Sequence, residues 1–190
     1  MKIITNINYF ITKLMKDEII AYPTESVFGL GCNPESKKAV MNLLALKQRS
    51  IEKGFILVAA NYEQIKPYIH DHQLSKKQRD MICSQSNSTR PITWLLPKNI
   101  KTPSWLTGNF SSLAVRISKY PSIKQLCTAF NKPLISTSAN ITGSLPCRTV
   151  KEIRAQFGKN LLIYPGNLGP LKFHTEIRDL LSDKIIRYEW

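Results

Sequence analysis

The segment FILVAA at residues 55–60 decides the fold, because its unbroken apolar run predicts a strand that is buried on both faces. Upstream, apolar residues at helical spacing predict helices over 5–16 and 34–47, the second after an Asn33-Pro34 start. A short apolar run at 19–22 predicts a strand between them. The segment therefore indicates a buried sheet with flanking helices.

The rest of the chain continues this alternation. Thr149 and Glu152 form a capping box that predicts a helix ending at Gly158. We expect one domain over residues 1–190 with an α/β (α+β) fold around a mixed sheet. The remaining predictions are helices at 61–69, 74–83 and 121–130, strands at 92–96, 113–117, 133–136 and 161–164, and a β-like stretch at 175–189.

The charge of the chain favours polyanionic partners. Lys and Arg number 27 against 13 acidic residues, which gives a net charge of +14. Between Asp80 and Glu152 there is no acidic residue but there are nine basic ones. This asymmetry predicts either a solvated basic face or an anion-binding cleft. The nine are Arg90, Lys98, Lys101, Arg116, Lys119, Lys124, Lys132, Arg148 and Lys151.

Several common chemistries are not supported by the motifs. There is no GxxxxGK[ST] loop, GxGxxG fingerprint or G-x-S-x-G elbow, and the four cysteines form no CxxC pair. Polar residues interrupt the apolar N-terminus, and no apolar run approaches the roughly 18 residues of a membrane span. We expect a cytoplasmic protein that needs no membrane and no organic cofactor.

Three polar segments remain as candidates for chemistry. In AYPTESVFGLGC (21–32), a strand runs into polar residues, and we expect Gly29 and Gly31 to permit tight turns. ALKQRS (45–50) places two cations at a helix end, where the helix dipole accounts for one better than for two. LISTSAN (134–140) follows a strand with a density of polar side chains that a packed core would not tolerate unpaired.

These segments together resemble the YrdC/TsaC family of L-threonylcarbamoyladenylate synthases, freestanding bacterial type. The motifs are YPTES-x-FGLG, LKQR followed by Lys53-Gly54, SLAVR, STSAN and CRT, and the match runs from about residue 7 to the C-terminus. The resemblance implies a twisted α/β sheet around a large, positively charged concave cavity. It implies synthesis of threonylcarbamoyl-AMP and pyrophosphate from L-threonine, bicarbonate or CO2, and ATP with Mg2+. A tRNA-modifying threonylcarbamoyl transferase complex would then use the product next to the anticodon.

The resemblance also assigns site residues by position. Lys47 and Arg49 would bind the triphosphate and act electrostatically, with no protein nucleophile and no metal ligand from a protein side chain. The other phosphate or nucleotide residues would be Lys53, Ser112, Ser138, Asn140, Arg148 and Arg187. The threonine residues would be Thr24, Arg116, Ser136 and Thr175, and the apolar strand LAVRI predicts that the Arg116 guanidinium is buried with a partner.

The chain departs from the family pattern at two places. Ser50 stands where the family usually has proline, and residues 88–93 lack the glycine of a Gly-Pro-x-Thr segment. Two other functions remain open. A non-catalytic RNA-binding module would use the basic surface, although no dense aromatic platform supports it. A carbamoyl-adenylate-forming enzyme, as in hydrogenase-maturation carbamoyltransferases, would use carbamoyl phosphate.

Overall fold

The computed structural model describes residues 6–84, 91–171 and 175–188. Short 3-10 turns at 51–53, 66–68 and 71–73 join its regular elements. The strands are β1 (Ile20–Pro23), β2 (Phe28–Gly31), β3 (Ile56–Ala59), β4 (Ile92–Pro97), β5 (Ser112–Ile117), β6 (Leu134–Ser138), β7 (Leu162–Ile163), β8 (Glu176–Asp179) and β9 (Ile185–Arg187). The α-helices are α1 (Ile7–Met15), α2 (Lys37–Lys47), α3 (Tyr62–Ile65), α4 (Lys76–Ser84), α5 (Ser104–Thr107), α6 (Pro121–Phe130) and α7 (Val150–Phe157).

The strands form one mixed sheet in the order β7-β1-β2-β6-β3-β5-β4-β8-β9. Three neighbouring pairs are parallel, namely β1 with β7, β3 with β5, and β4 with β8. The other pairs are antiparallel. This confirms the predicted α/β fold with a mixed sheet and flanking helices. No helix in the described ranges is long and apolar enough to cross a membrane.

Alternation along the central strands explains why helices cover both faces. In β3, Leu57 and Ala59 join one hydrophobic cluster while Val58 joins the other. One cluster includes apolar side chains of α2, and the second is formed with α1 and α6. The FILVAA segment is thus buried from two sides, as its composition predicts.

Two predicted element boundaries are wrong for identifiable reasons. Helix α2 begins after Ser36, whose side chain accepts a hydrogen bond from the Ala39 amide, so Asn33-Pro34 precedes the helix. The single helix predicted at 61–69 is a short α3 followed by a 3-10 turn that contains Pro67. Proline has no amide hydrogen to continue an α-helical ladder, which accounts for the break. The predicted capping box of α7 is confirmed.

The expected turns at Gly29 and Gly31 are also wrong, because both residues lie inside strand β2. This strand pairs antiparallel with β1 and with β6. A Cβ atom on Gly31 would lie 2.4 Å from the carbonyl oxygen of Ile135 and 2.8 Å from the Tyr22 ring. Glycine is therefore required here for close approach of neighbouring strands rather than for a turn.

We expect Gly31→Ala to destabilise the protein by about 2–3 kcal/mol, because the contact atom is a backbone carbonyl that cannot move aside. Thermal unfolding should show a midpoint lowered by roughly 5–10 °C. Gly29→Ala is the matched control, since its Cβ would meet only side-chain atoms, at 3.2 Å. Equal midpoints for the two variants would contradict the strand-approach explanation.

Candidate functional site

A cavity of about 360 Å³ lies between the loops that follow β1 and α2, strands β4, β5 and β6, and the β8–β9 hairpin. Its volume is typical of small-molecule sites in proteins. Its wall combines hydroxyl, cationic and apolar side chains. Nine of the twelve site residues predicted from the sequence line it: Thr24, Arg49, Lys53, Ser112, Arg116, Ser136, Ser138, Thr175 and Arg187.

The charged groups on the cavity wall are all cations within the described part of the chain. They are Arg49, Lys53, Arg116 and Arg187, and no carboxylate lines the cavity there. The three arginines each have a buried Nε atom without a hydrogen-bond partner. Buried polar groups are nearly always paired, and an arginine Nε–H can only donate. The cavity is therefore suited to a ligand with several negatively charged oxygens.

Partial burial makes these guanidinium charges costly, because it removes part of their solvation. Loss of solvation lowers the pKa of Arg49 below its ordinary value. It also lowers the pKa of Arg187, and the nearby charge of Arg116 lowers it further. Arginine nevertheless stays protonated in proteins. A bound anion would offset both the lost solvation and the repulsion between the two arginines.

Arg116 is buried and paired, as predicted from its strand. Only 7% of the residue is exposed. Its Nη1 donates to Oε2 of Glu25 at 3.1 Å. The second carboxylate oxygen of Glu25 accepts a hydrogen bond from the Ser118 hydroxyl at 2.6 Å. Glu25 lies behind the wall, because Thr24 and Ser26 line the cavity and Glu25 does not.

The end of α2 places Arg49 in the cavity. Gln48 adopts a left-handed conformation and closes the helix, so the chain turns away at Arg49. The Arg49 guanidinium donates from Nη2 to the Gly54 carbonyl at 2.8 Å and lies 5.3 Å from the Phe55 ring centroid. Ser50, which replaces the usual proline, has a φ of −64°, the value that proline imposes. Serine at this position therefore keeps the backbone conformation that proline would adopt.

Lys47 lies one layer behind the cavity. Its residue is only 2% exposed. Its Nζ donates to the carbonyl oxygens of Ser138 at 2.5 Å and Asn140 at 2.6 Å. In return, the amide and hydroxyl of Thr142 donate to the Lys47 carbonyl. Burial, followed by repulsion from Arg49, lowers the pKa of Lys47 to about 8. The lysine thus joins the end of α2 to the loop after β6.

Ser138 and Asn140 of the STSAN motif also differ in position, one on the cavity wall and one behind it. Ser138 lines the cavity, and its hydroxyl donates to Oδ1 of Asn140 at 2.6 Å. The Asn140 amide nitrogen donates to the carbonyls of Ile141 and Ser144, so this side chain holds the loop together. The structure therefore puts one residue of each motif, Arg49 and Ser138, on the cavity wall. Lys47 and Asn140 support them from behind.

The other predicted residues occupy different surroundings. Thr175 contacts the Thr93 hydroxyl at 2.9 Å and accepts the Arg187 Nη2 on its carbonyl at 2.8 Å, so these residues form one side of the cavity. Arg148 is exposed, does not line the cavity, and precedes the capping box of α7. In the divergent segment 88–93, residues 88–90, including the basic Arg90, lie outside the described residues.

Sequence reasoning missed the apolar side of the cavity. Phe110 and Ile186 both line it and are 57% and 54% exposed. Phe110 lies in the loop between Gly108 and β5, where an exposed aromatic side chain is a signal that could have been noticed. The sequence gives no such signal for Ile186. It lies in the short edge strand β9, where side chains alternate between the two faces and an exposed apolar residue is not unusual. These two side chains give the cavity an apolar rim.

Comparison with known proteins places this architecture in a family. The Sua5/YciO/YrdC family model, described as "Telomere recombination", matches residues 12–188. A threonylcarbamoyl-AMP synthase of Yersinia enterocolitica is 54% identical over 174 residues, which cover 92% of this chain and 90% of the relative. The synthase of Yersinia pestis strain Pestoides F has the same identity and coverage.

Solved structures show the same fold. Escherichia coli YciO superposes with a TM-score of 0.79 at 24% identity, covering 96% of this chain and 88% of that one. Pyrococcus abyssi Sua5 complexed with L-threonine gives a TM-score of 0.83 at 23% identity over 96% of this chain. The chain spans 54% of that Sua5 structure. From the family match and the close curated relatives, the chain belongs to the Sua5/YciO/YrdC family, and its curated relatives named above are threonylcarbamoyl-AMP synthases.

Proposed function

We propose that this protein forms L-threonylcarbamoyl-AMP and pyrophosphate from L-threonine, bicarbonate or CO2, and ATP. The observation that carries the proposal is one cavity lined by three arginines, each of which has a buried Nε donor without a hydrogen-bond partner. ATP and threonine carbamate are both anions, and the charged side chains that line the cavity in the described residues are all cations, which matches their charge. The activity named for the 54% identical relatives supports the same reaction.

The nucleotide would occupy the side of the cavity formed by the ends of α2 and β6. Arg49 and Lys53 would contact the triphosphate, with Ser138 and Ser112 beside it. Arg187 lies on the opposite hairpin and would contact phosphate oxygens from there. The apolar rim of Phe110 and Ile186 offers a surface for the flat nucleobase. Mg2+ would enter with ATP, because this ion usually binds through substrate phosphates and keeps several waters.

Threonine would lie on the Arg116 side of the cavity. A guanidinium binds a carboxylate through two parallel hydrogen bonds, which fixes the orientation of the amino acid. The hydroxyl groups of Thr24, Ser136 and Thr175 line the cavity with Arg116. The Sua5 structure complexed with L-threonine supports an amino-acid site in this fold.

The chemistry requires the cavity to hold two anions in line. The threonine amine adds to CO2 and loses a proton, which gives a carbamate. A carbamate oxygen then attacks the α-phosphorus while the bond from that phosphorus to the pyrophosphate oxygen breaks. Fixed cations lower the barrier by neutralising charge on the leaving pyrophosphate, and no protein nucleophile is needed.

Lys47 and Asn140 would contribute to nucleotide binding from behind the wall. They hold the loop that carries Ser138, and the Lys47 charge adds to the field near Arg49. The exposed Arg148 would reach only the outer part of a bound nucleotide. The product would pass to a tRNA-modifying threonylcarbamoyl transferase complex in the cytoplasm.

RNA binding without catalysis is the second candidate, favoured by the net charge of +14. An RNA-binding surface explains the exposed cations, but it gives no reason for placing one buried and two half-buried arginines around a cavity. Carbamoyl phosphate as the donor is a further candidate, which the sequence resemblance leaves open. The two enzymatic candidates differ in whether threonine and bicarbonate are required.

The first test is the dependence of pyrophosphate release on each substrate. We expect release only when L-threonine, bicarbonate, ATP and Mg2+ are all present, because the carbamate must form before the α-phosphorus is attacked. A coupled pyrophosphate assay with single omissions measures this, with carbamoyl phosphate as an added arm. Release without threonine, or stimulation by carbamoyl phosphate in place of bicarbonate, would refute the proposal.

Arg49 and Lys47 should differ in how their loss affects the protein. Arg49→Ala should lower kcat on the order of 10²–10³-fold, the scale of losing one preorganised electrostatic donor, with little change in the unfolding midpoint. Lys47→Ala should lower both kcat and the midpoint, because it removes the two hydrogen bonds that tie the end of α2 to the carbonyls of Ser138 and Asn140. Steady-state kinetics and thermal unfolding measure both. Near-native kcat in the Arg49 variant would remove it from the phosphate site.

The low pKa of Lys47, about 8, predicts opposite trends in stability and binding. Between pH 8 and 10.5 the unfolded chain keeps the Lys47 proton and the folded chain loses it, so its contribution to stability rises with pH. ATP affinity should fall over the same range as the charge disappears. The comparison is with Lys47→Met, which cannot titrate there. A stability difference between the two proteins that does not change from pH 7.5 to 10 would contradict this prediction.

A further inference from the structure

Glu25 connects the threonine side of the cavity to the rest of the fold. Its side chain is largely buried, and both carboxylate oxygens are occupied. Oε2 accepts from Nη1 of Arg116 at 3.1 Å, and Oε1 accepts from the Ser118 hydroxyl at 2.6 Å. Arg116 and Ser118 lie two residues apart at the end of β5. The carboxylate thus bridges the loop after β1 and the strand that carries Arg116.

The backbone of this loop is fixed from the far side. The amide of Gly169 donates to the Thr24 carbonyl, and the amide of Leu171 donates to the Glu25 carbonyl. A Cβ atom on Gly169 would lie 2.5 Å from the Glu25 carbonyl oxygen, so the two segments are in close contact. Glu25 is therefore held at a fixed position, and its contact with Arg116 is a built feature of the site.

This contact fixes the position of the Arg116 guanidinium at the cavity wall. A guanidinium offers two bidentate edges, Nη1 with Nη2 and Nε with Nη2. Glu25 occupies Nη1, while Nε is buried and has no hydrogen-bond partner. Arg116 itself lines the cavity, so a ligand there would meet a guanidinium whose position the Glu25 contact fixes.

The charge of Glu25 also matters for the arrangement of cations. Arg187 is close enough to Arg116 for their repulsion to lower the pKa of Arg187. A carboxylate behind Arg116 offsets part of that repulsion without occupying the cavity. It therefore allows two arginines to line one wall while leaving the substrate side free of negative charge.

We propose that Glu25 is a positioning residue for the amino-acid substrate, which holds the Arg116 guanidinium in place so that it binds the α-carboxylate of L-threonine. This inference rests on the proposed function for the identity of the substrate. A general-base role fits the geometry less well, since Glu25 does not line the cavity and both its oxygens already accept hydrogen bonds. If Glu25 instead blocked the threonine site, threonine would have to displace it from Arg116, and Glu25 would also have to break its hydrogen bond with Ser118.

Glu25→Gln tests this role because it keeps the size of the side chain and removes its charge. We expect the KM for L-threonine to rise about tenfold, since a charge-assisted contact to Arg116 is lost, while kcat and the KM for ATP change less than twofold. L-Threoninol, which lacks the carboxylate, serves as a competitive probe. Wild type should prefer threonine over threoninol by more than the variant does, because the variant holds the carboxylate less well.

Each other result would overturn the proposal. A fall in kcat with the basic limb of the pH profile removed, at unchanged KM, would indicate a general base. A lower KM for threonine would indicate that Glu25 blocks the threonine site, and an unchanged preference for threonine over threoninol would remove Glu25 from carboxylate binding. If Glu25→Gln does not fold, Ser118→Ala, which frees one Glu25 oxygen, should show the same shift to a smaller extent, and no shift would refute the role.

The controls separate this inference from the proposed function. Glu18→Gln removes a carboxylate of a solvent-exposed pair with Lys13 and should leave all three parameters unchanged. Wild-type protein that releases no pyrophosphate with threonine would refute the proposed function alone. Calorimetric titration with L-threonine still compares wild type and Glu25→Gln in that case, because it measures binding without turnover.

Discussion

The placement of three arginines, one buried and two half-buried, around one cavity is the constraint on which the site depends. Arg49, Arg116 and Arg187 come from a loop, a central strand and an edge strand. Each has a donor that the protein leaves unpaired. Placing such groups together costs solvation and produces repulsion, and the fold limits this cost with a carboxylate placed outside the cavity rather than within it. The arrangement is stable enough to persist and still favours an anionic ligand.

The sheet makes this arrangement possible by bringing distant segments together. Strand β6 lies between β2 and β3, so the loop after β6 meets the end of α2. Gly31 permits the close packing of β2 against its neighbours on which this order depends. Lys47 then fixes the loop by donating to two of its carbonyls. Packing of the sheet and geometry of the phosphate side are therefore linked through a few backbone contacts.

The sequence predicted the features that local patterns determine. Apolar periodicity predicted β3 and most helices, and the apolar context of Arg116 predicted its burial. Strand β2 was missed because its two glycines have low strand propensity, and only pairing with β1 and β6 explains their place. The pairing of Glu25 with Arg116 joins residues 91 positions apart. Nothing in either local segment specifies such a contact. The local sequence likewise does not predict that the Asn140 side chain holds its own loop together instead of lining the cavity.

The central claim is that the cavity recognises the phosphates of a nucleotide through the cations that line it. Calorimetric titration of the wild-type protein with MgATP and, separately, with adenosine tests it most directly. The account predicts one MgATP per chain and adenosine binding weaker by about 100-fold or more, since the nucleoside carries no phosphate charge to offset the cations of the cavity. Equal affinity for adenosine and MgATP would contradict it.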